Sequence, residues 1–263
     1  MNEVIKIENK NSLKNTIQEA VNPFGGLSSV VGEGDRVLLK PNFNTADPFP
    51  ASSDYEFLKT VVELVYEAGA KEVIVGDSCT LTQKTEKVME KLHIYELEKL
   101  PKPATVMNFD DHEWIEKEIP GGKYLKHVSV PEILDKADKL ILLPCLKTHF
   151  IAQFTGSLKL AVGFMKTIER VPLHTRHVQE KIAEMNAVIN PDLIIMDGRK
   201  CFITRGPMDG ETREPNVILA SKSRVYIDIA GINIIKSFPG NNLADIEARD
   251  LPQIKVAKEI GIM

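Results

Sequence analysis

Apolar runs of strand length alternate along this chain with segments of helical period, and this alternation constrains the fold more than any other feature. "RVLLKPN" predicts a buried strand that ends at Pro41, and "SDYEFLKTVVELVYEAG" predicts a helix with Ser53 and Glu56 as its capping box. "KEVIVGDSC" predicts the next buried strand. A strand, a helix and a strand in this order form a right-handed crossover between two parallel strands.

The alternation continues through the rest of the chain. Further strands are predicted in "ATVMNFDD", "KLILLPC", "PDLIIMDGRKC" and "NVILASKS", and further helices in "TEKVMEKLHIYELEKL" and "SRVYIDIAGINIIKSF". Residues 114–130 alternate around Pro120, Gly121 and Gly122, which predicts an antiparallel hairpin. The sequence therefore predicts an α/β fold, in which a mostly parallel sheet is flanked by helices in three layers and carries a small hairpin insert. We expect a single domain over residues 1–263.

The charge and the apolar pattern exclude some classes of partner. Charged residues make up 27% of the chain and the net charge is −4, so attraction to nucleic-acid phosphates is not expected. The first residues, "MNEVIKIENK", lack the basic head and apolar run of a signal peptide. No apolar segment approaches the roughly 20 residues that span a bilayer. We therefore expect a cytoplasmic protein that binds neither nucleic acid nor a membrane.

Polar residues that follow the predicted strands are the candidates for a functional site. In a parallel sheet, ligands bind beyond the carboxyl ends of the strands, because loops and helix N-termini converge there. The candidates include Lys40, Asn42, Asp77, Ser78, Cys79, Cys145, Lys147, His149, Asp197, Arg199 and Cys201.

All three cysteines of the chain, Cys79, Cys145 and Cys201, follow predicted strands. Each can be inert packing, since cysteine is among the most buried residue types and the chain has no C-x-x-C pair. Alternatively, three thiolates that converge on one edge of the sheet can hold a 4Fe–4S cluster with one open iron. A zinc ion with His149 or Asp77 as its fourth ligand is the other metal that fits. These interpretations all stay open from the residues alone.

Lysines near the same strand ends point to an anionic ligand. Lys40, Lys147 and Lys159 lie in or beside these segments of an otherwise acidic chain, and ammonium groups bind carboxylates and phosphates. Histidine ordinarily titrates near neutral pH, so His149 is expected to suit acid–base work, with Lys147 and Asp77 as further catalytic candidates. The predicted ligand is a small anionic metabolite.

Asp228 interrupts the apolar helix pattern "VYIDIAGINII". A buried carboxylate must be hydrogen-bonded, paired or neutral, because burying it alone costs several kcal/mol. Asp228 is therefore expected either to bind the preceding loop or to pair with a site lysine such as Lys40 or Lys159.

Six blocks of the sequence resemble the domain-of-unknown-function family 362, from about Arg36 to Ile235: "VLLKPNFN", "IVGDS", "LILLPCLKTHFIAQFTGSLKLAVG", "DLIIMDG", "GPMDG" and "YIDIAG". That family occurs in some iron–sulfur proteins and has no established general activity. The resemblance implies an enzyme with a redox or iron–sulfur connection. The site residues it implies are Lys40, Asn42, Asp77, Lys147, His149, Lys159, Asp197 and Asp228.

The sequence departs from the family pattern in two places. Members that carry clusters usually do so through an appended segment of closely spaced cysteines, which is absent here. In "SLKLAVG", the asparagine that commonly follows the lysine of the family motif is replaced by Leu160.

Three hypotheses for the function follow. The first is an enzyme for iron–sulfur-dependent redox or lyase chemistry, in which Lys147, Lys159 and Lys40 bind the anion and His149 moves a proton. Asn42, Asp197 and Asp228 complete its substrate site, and the cysteines hold an iron–sulfur cluster served by an electron-transfer protein. The second is a zinc enzyme that uses the same residues. The third is a metal-free metabolite-binding or accessory protein whose cysteines are inert.

Overall fold

The computed structural model describes residues 3–10 and 12–262. The strands are β1 (Val4–Glu8), β2 (Arg36–Lys40), β3 (Glu72–Asp77), β4 (Thr105–Asn108), β5 (Trp114–Glu118), β6 (His127–Pro131), β7 (Lys139–Leu142), β8 (Cys145–His149), β9 (Gln153–Thr155), β10 (Leu193–Phe202), β11 (Thr212–Arg213) and β12 (Val217–Ser221). The α-helices are α1 (Leu13–Val21), α2 (Tyr55–Glu67), α3 (Thr85–Lys91), α4 (Ile133–Lys136), α5 (Ser157–Leu160), α6 (Arg170–Leu173), α7 (Val178–Met185), α8 (Arg224–Lys236) and α9 (Pro252–Glu259).

One large sheet organises the molecule, with its strands in the order β1-β12-β10-β7-β2-β3-β4. The strands from β10 to β4 pair in parallel. At the other edge, β12 pairs antiparallel with both β10 and β1, so it runs opposite to the other strands of this order. β5 and β6 form a separate antiparallel pair, which is the predicted hairpin. The prediction of an α/β fold with a mostly parallel sheet and a small hairpin is confirmed.

Apolar side chains cover both faces of this sheet. Successive residues of a strand point to opposite faces, so Leu38 and Ile74 belong to one core and Val37 and Val75 to the other. Side chains of α7, α8 and α9 pack in the first core, and side chains of α1 and α2 pack in the second. The sheet is therefore the middle of three layers.

Helix α2 begins one residue later than its sequence pattern predicts. Asp54 is the N-cap, and its Oδ1 accepts a hydrogen bond of 2.9 Å from the Phe57 N–H. Ser53 instead accepts a bond of 2.9 Å from the Asn42 N–H, so it fixes the loop after β2. In residues 3–10 and 12–262, no helix combines the length and the apolar character that crossing a bilayer requires.

The segment "CLKTH" differs from its prediction. Pro144 ends the pairing of β7 as expected, but the chain then continues as β8 rather than as a loop. β8 pairs in parallel with β10 and antiparallel with β9, and all five of its residues are buried. Lys147 and His149 are only 0% and 6% exposed, so both lie in the interior instead of at a solvated rim.

Candidate functional site

A cavity of about 440 Å³ opens where β2, β3 and β8 end. Seven of the candidate residues line it, and these are Lys40, Asn42, Asp77, Ser78, Lys147, His149 and Lys159. Arg170, Thr155, Gly163 and His174 also contribute to its wall. The carboxyl ends of the strands therefore bring together residues that are more than 100 positions apart in the sequence.

Lys40 and Asp77 form a buried ion pair in this cavity. The two side chains are 1% and 3% exposed, and Lys40 Nζ lies 2.7 Å from Asp77 Oδ1. Asp77 also accepts bonds of 2.7 Å from the N–H groups of Phe43 and Ser78. Burial lowers the pKa of Lys40, and the Asp77 carboxylate opposes this shift. The pair is a structural unit, in which each charge makes burial of the other tolerable.

Gly163 leaves room for the Lys40–Asp77 pair. A Cβ atom at this position would lie 2.5 Å from both Lys40 Nζ and Asp77 Oδ1. The glycine of the motif "LAVG" is therefore required by close approach, and it allows the 3₁₀ turn after α5 to close the cavity over the ion pair.

Lys147 lies on β8 with no solvent exposure. Its ammonium donates to the carbonyl oxygen of Ala51 and to Asn42 Oδ1, the latter at 3.4 Å. Burial lowers the pKa of Lys147 to about 8. An ammonium has three N–H donors, so one remains for a ligand.

His149 is held as a neutral ring with a defined tautomer. Its Nδ1 accepts hydrogen bonds of 3.0 Å from the Ile151 N–H and 3.1 Å from the Ala152 N–H. An acceptor at Nδ1 leaves the ring proton on Nε2. Burial first, and then the charges of Lys159 and Lys147, lower the pKa of His149 far below its usual value. The ring suits donation of a hydrogen bond from Nε2 rather than abstraction of a proton.

Lys159 and Thr155 are polar residues of the cavity wall that have unused hydrogen-bonding capacity. In the described part of the chain, no hydrogen bond or ion pair reaches the Lys159 ammonium. Thr155 is 3% exposed, and its Oγ1 likewise has no partner. Burial first, and then the charges of Lys147 and Arg170, together lower the pKa of Lys159 to about 7. Unsatisfied polar groups in one cavity indicate a place for a ligand.

Arg170 was not among the residues that the sequence indicates. It is 5% exposed. Its guanidinium donates hydrogen bonds to the carbonyl oxygens of Met165, Ser78, Cys79 and Gly163 and to the Ser78 hydroxyl. The arginine therefore fixes α6 to the loop after β3 and adds positive charge beside the cavity. In "IERVPL" it directly follows Glu169, so the local sequence pattern does not distinguish it from an exposed charged residue.

Asp228 does not line the cavity but holds one of its walls. The fully buried carboxylate accepts bonds of 2.6 Å from the Ser157 N–H and 3.0 Å from the Leu158 N–H. It thereby orients α5, which carries Lys159, and it pairs with neither predicted lysine. A Cβ on Gly156 would approach Asp228 Oδ1 to 2.4 Å, so this glycine is also needed for close approach.

Asp228 is expected to make stability fall as the pH rises. Burial raises its pKa from 3.8 to about 7, so the native state keeps a proton that the unfolded state releases at lower pH. The free energy of unfolding should therefore decrease between about pH 4 and pH 7 through this group. Asp228→Asn removes this titration and should flatten the decrease, as thermal unfolding at several pH values can measure. The exposed Asp245→Asn is the control, and an unchanged slope in Asp228→Asn contradicts the assignment.

Asp197 is buried away from the cavity wall. It pairs with Arg199 at 2.7 Å, and Arg199 also reaches Asp54 at 3.0 Å. Burial raises the pKa of Asp197, and the Arg199 guanidinium opposes this shift. These contacts connect β10 to the start of α2, which is a structural role.

The three cysteines are all buried but do not form a ligand set. Cys79 belongs to the core on one face of the sheet and Cys201 to the core on the other, while Cys145 Sγ lies 3.9 Å from Ser53 Oγ. Within the described ranges 3–10 and 12–262, no three His, Cys, Asp or Glu residues are grouped so that they could hold a metal ion. The residues present therefore do not fit a shared cluster or zinc ion. A metal cofactor remains a prediction of the sequence alone.

The thiols are expected to be unreactive in the folded protein. Burial raises the pKa of Cys145 to about 11 and that of Cys201 to about 12, and it also raises the pKa of Cys79. The thiolate is the reactive form, so labelling with a thiol reagent at neutral pH should be slow until a denaturant is added. Three thiols should then react at once. Fast labelling of the native protein would contradict the burial of these side chains.

Comparisons with known proteins show similarity to a relative of known sequence and to solved structures. The chain is 28% identical over 242 residues to a thylakoid-associated protein of Synechocystis, which covers 87% of this chain and 71% of that protein. A crystal structure of a Thermotoga maritima protein aligns with 96% of this chain at 12% identity and a TM-score of 0.49. The lactate racemase apoprotein of Thermoanaerobacterium thermosaccharolyticum aligns with 86% at 13% identity and the same TM-score of 0.49. The chain spans 60% of the length of each of these two solved proteins.

The family comparison covers most of the chain. The model of the family described as "Domain of unknown function (DUF362)" matches residues 37–233. This range begins in β2 and ends within α8, so it includes every residue of the cavity wall. The chain belongs to this family of unknown function.

Proposed function

We propose that the cavity binds a small carboxylate or phosphate and that the protein is an enzyme that moves a proton on this anion. The observation that carries the proposal is the charge of the wall. Among the described residues that line the cavity, Asp77 is the one acidic side chain, against Lys40, Lys147, Lys159 and Arg170. This excess of positive charge favours an anion, and enclosure strengthens the attraction.

Each basic residue has a different capacity for a ligand. Lys40 is neutralised by Asp77, and Arg170 has its donors engaged with the protein. Lys147 keeps one donor, and Lys159 is without a partner among residues 3–10 and 12–262. Lys147 and Lys159 are therefore the residues that bind the anion directly in this proposal.

The same groups suit removal of a proton from the carbon next to a carbonyl or carboxyl group. The pKa of about 7 makes the unprotonated form of Lys159 accessible. In this form the amine no longer binds the anion but takes that proton, while the Lys147 ammonium holds the anion. The electron pair of the C–H bond moves toward the substrate oxygen, which accepts hydrogen bonds from His149 Nε2–H and the Lys147 ammonium. Return of the proton from Lys159 to the carbon completes the cycle without an added oxidant or reductant.

Neither an iron–sulfur cluster nor zinc enters this proposal, because the cysteines do not converge on the cavity. The electron-transfer partner predicted with the cluster has no role in it either. The metal-free binding or accessory protein remains the alternative, and it shares the anion site but not the proton transfer.

The anion site is tested by calorimetric titration with inorganic phosphate and pyruvate across pH. For pyruvate, which keeps one negative charge over this range, affinity should be highest below about pH 7 and fall through pH 8, because the lysine pKa values of about 7 and about 8 set the charge of the site. Near pH 7.5, binding should take up protons, since an anion stabilises the ammonium forms. Titration in buffers with different ionisation enthalpies measures this uptake. Lack of binding at every pH would contradict the proposal.

Proton transfer is tested separately. Incubation of a panel of small carboxylates, including pyruvate and lactate, in deuterated buffer should give enzyme-dependent deuterium at the carbon next to the carboxyl or carbonyl group, read by NMR. Binding without exchange across the panel would favour the metabolite-binding alternative.

A further inference from the structure

Exposed apolar side chains surround the mouth of the cavity. Six large hydrophobic residues are exposed in the described part of the chain, and five of them line the cavity. These five form what we call the apolar rim: Leu81, Phe150, Ile151, Val171 and Met208. The sixth, Ile168, lies about one helical turn before Val171. Exposed apolar residues are common when scattered, but their concentration at one opening indicates a contact surface.

The rim comes from four separate segments of the chain. Leu81 follows β3, Phe150 and Ile151 form the turn between β8 and β9, Val171 lies on α6, and Met208 lies in the loop after β10. No single apolar segment can therefore account for the rim. The fold brings these segments together at the place where the basic wall of the cavity meets solvent.

Backbone contacts hold the rim segments in place. The Phe150 N–H donates to the Gly206 carbonyl oxygen at 3.2 Å, and the Gly206 N–H donates to the Asp209 carbonyl oxygen at 2.7 Å. The Phe150 ring stacks on His149 with centroids 5.2 Å apart. Gly206 has a positive φ of 58°, and a Cβ there would collide with the Thr148 carbonyl oxygen at 1.9 Å. These contacts connect the turn that carries Phe150 to the loop that carries Met208.

A basic interior below an apolar opening matches a ligand with an anionic end and an apolar end. A fully polar anion would leave the rim exposed to water, and an apolar molecule would leave Lys159 and Thr155 without partners. We propose that the site takes an anionic amphiphile, a carboxylate or phosphate whose apolar tail lies against the rim residues Leu81, Phe150, Ile151, Val171 and Met208. This inference rests on the proposed anion site and adds the class of ligand.

The test is the dependence of affinity on tail length. Butyrate, hexanoate and octanoate are titrated as monomers at one pH. A methylene group that leaves water for an apolar contact contributes up to about fourfold in affinity. Affinity should rise by at least about twofold per methylene along the series, because the rim is partly open to solvent. Equal affinities across the three acids would overturn the inference.

Variants of the rim provide the matched comparison. Val171→Ser with Met208→Ser removes apolar surface from two exposed positions and should reduce the rise per methylene, with phosphate affinity unchanged. Val171→Ile with Met208→Leu keeps apolar surface at the same positions and should keep the rise. An equal rise in both double variants would overturn the role of the rim.

The outcomes separate this inference from the proposed function. Absence of phosphate and carboxylate binding would remove the anion site and the inference together, whereas binding without a tail effect would remove only the inference. Vesicles containing phosphatidylglycerol are a further arm of the test, because a lipid headgroup has the same chemistry as a free amphiphile. Binding to vesicles without binding of monomeric octanoate would overturn the proposal of a free ligand.

Discussion

Asp77→Ala is expected to lower the free energy of unfolding by about 3–5 kcal/mol, because it leaves Lys40 as a buried charge without its counterion. Lys40 is 1% exposed, and its Nζ has Asp77 Oδ1 at 2.7 Å and the Pro41 carbonyl oxygen as partners. The substitution also removes the acceptor for the N–H groups of Phe43 and Ser78. Chemical denaturation measures the loss.

The double variant Asp77→Ala with Lys40→Met is the control for this interpretation. It removes the unpaired charge, so it should recover part of the stability that Asp77→Ala loses. Measured together with the single variant Lys40→Met, it gives the coupling between the two residues, which is the loss in the double variant minus the losses in the two single variants. If the double variant is no more stable than Asp77→Ala, the loss comes from the backbone contacts of Asp77 rather than from its charge. A loss below about 1 kcal/mol in the single variant would contradict a buried ion pair.

Lys159→Met is expected to weaken anion binding by about 30-fold or more without lowering the melting temperature. Removing one partner of a desolvated, hydrogen-bonded charge pair typically costs about 2–5 kcal/mol of binding free energy. In the described ranges, the Lys159 ammonium makes no hydrogen bond or ion pair with the protein, so the fold loses no such contact. Methionine keeps a flexible chain of similar length and removes the charge.

Titration with phosphate, together with thermal unfolding, measures both parts of this prediction. Lys71→Met is the matched control. Lys71 is exposed and directly precedes β3, so it lies at the amino ends of the parallel strands, whereas the cavity lies at their carboxyl ends. It should bind phosphate as the unaltered protein does. If Lys159→Met destabilises the fold strongly and leaves phosphate affinity intact, Lys159 is structural and the proposed site is wrong.

The fold class could be predicted because it depends on local pattern. The run that became β2 is apolar at each core position, and the segment that became α2 carries its apolar side chains at helical spacing. Both patterns follow from the periods of strand and helix. The rule that ligands bind beyond parallel strands then placed Lys40 and Asp77 at one site, and both line the cavity.

Local sequence pattern was less informative where contacts between residues distant in the sequence determine the local structure. The predicted helix "TEKVMEKLHIYELEKL" is broken at His93, whose φ of 58° starts a separate 3₁₀ turn. Asp54 rather than the predicted Ser53 caps α2, because the Ser53 hydroxyl accepts a hydrogen bond from the Asn42 N–H instead. Such competition for a hydrogen-bonding group is invisible to a rule that considers one segment at a time.

The roles of the site residues also depended on tertiary contacts. The sequence offered His149 as an acid–base group, but two backbone N–H donors from the following turn fix its tautomer. Asp228 was expected to bind the preceding loop or a lysine, and it binds the first N–H groups of α5 instead. In both cases the residue type drew attention to the position, but the sequence did not indicate its hydrogen-bond partner.

The sequence by itself determined the alternation of strands and helices, the edge of the sheet where polar residues gather, and the family. Only the tertiary structure decided that β8 is an internal strand, that the cysteines are spread over both cores, and that Arg170 borders the site. The physical reason is the separation in sequence of the residues that set each property. Strand and helix periods are properties of consecutive residues, whereas burial, ion pairing and tautomer depend on groups that meet only after the chain has folded.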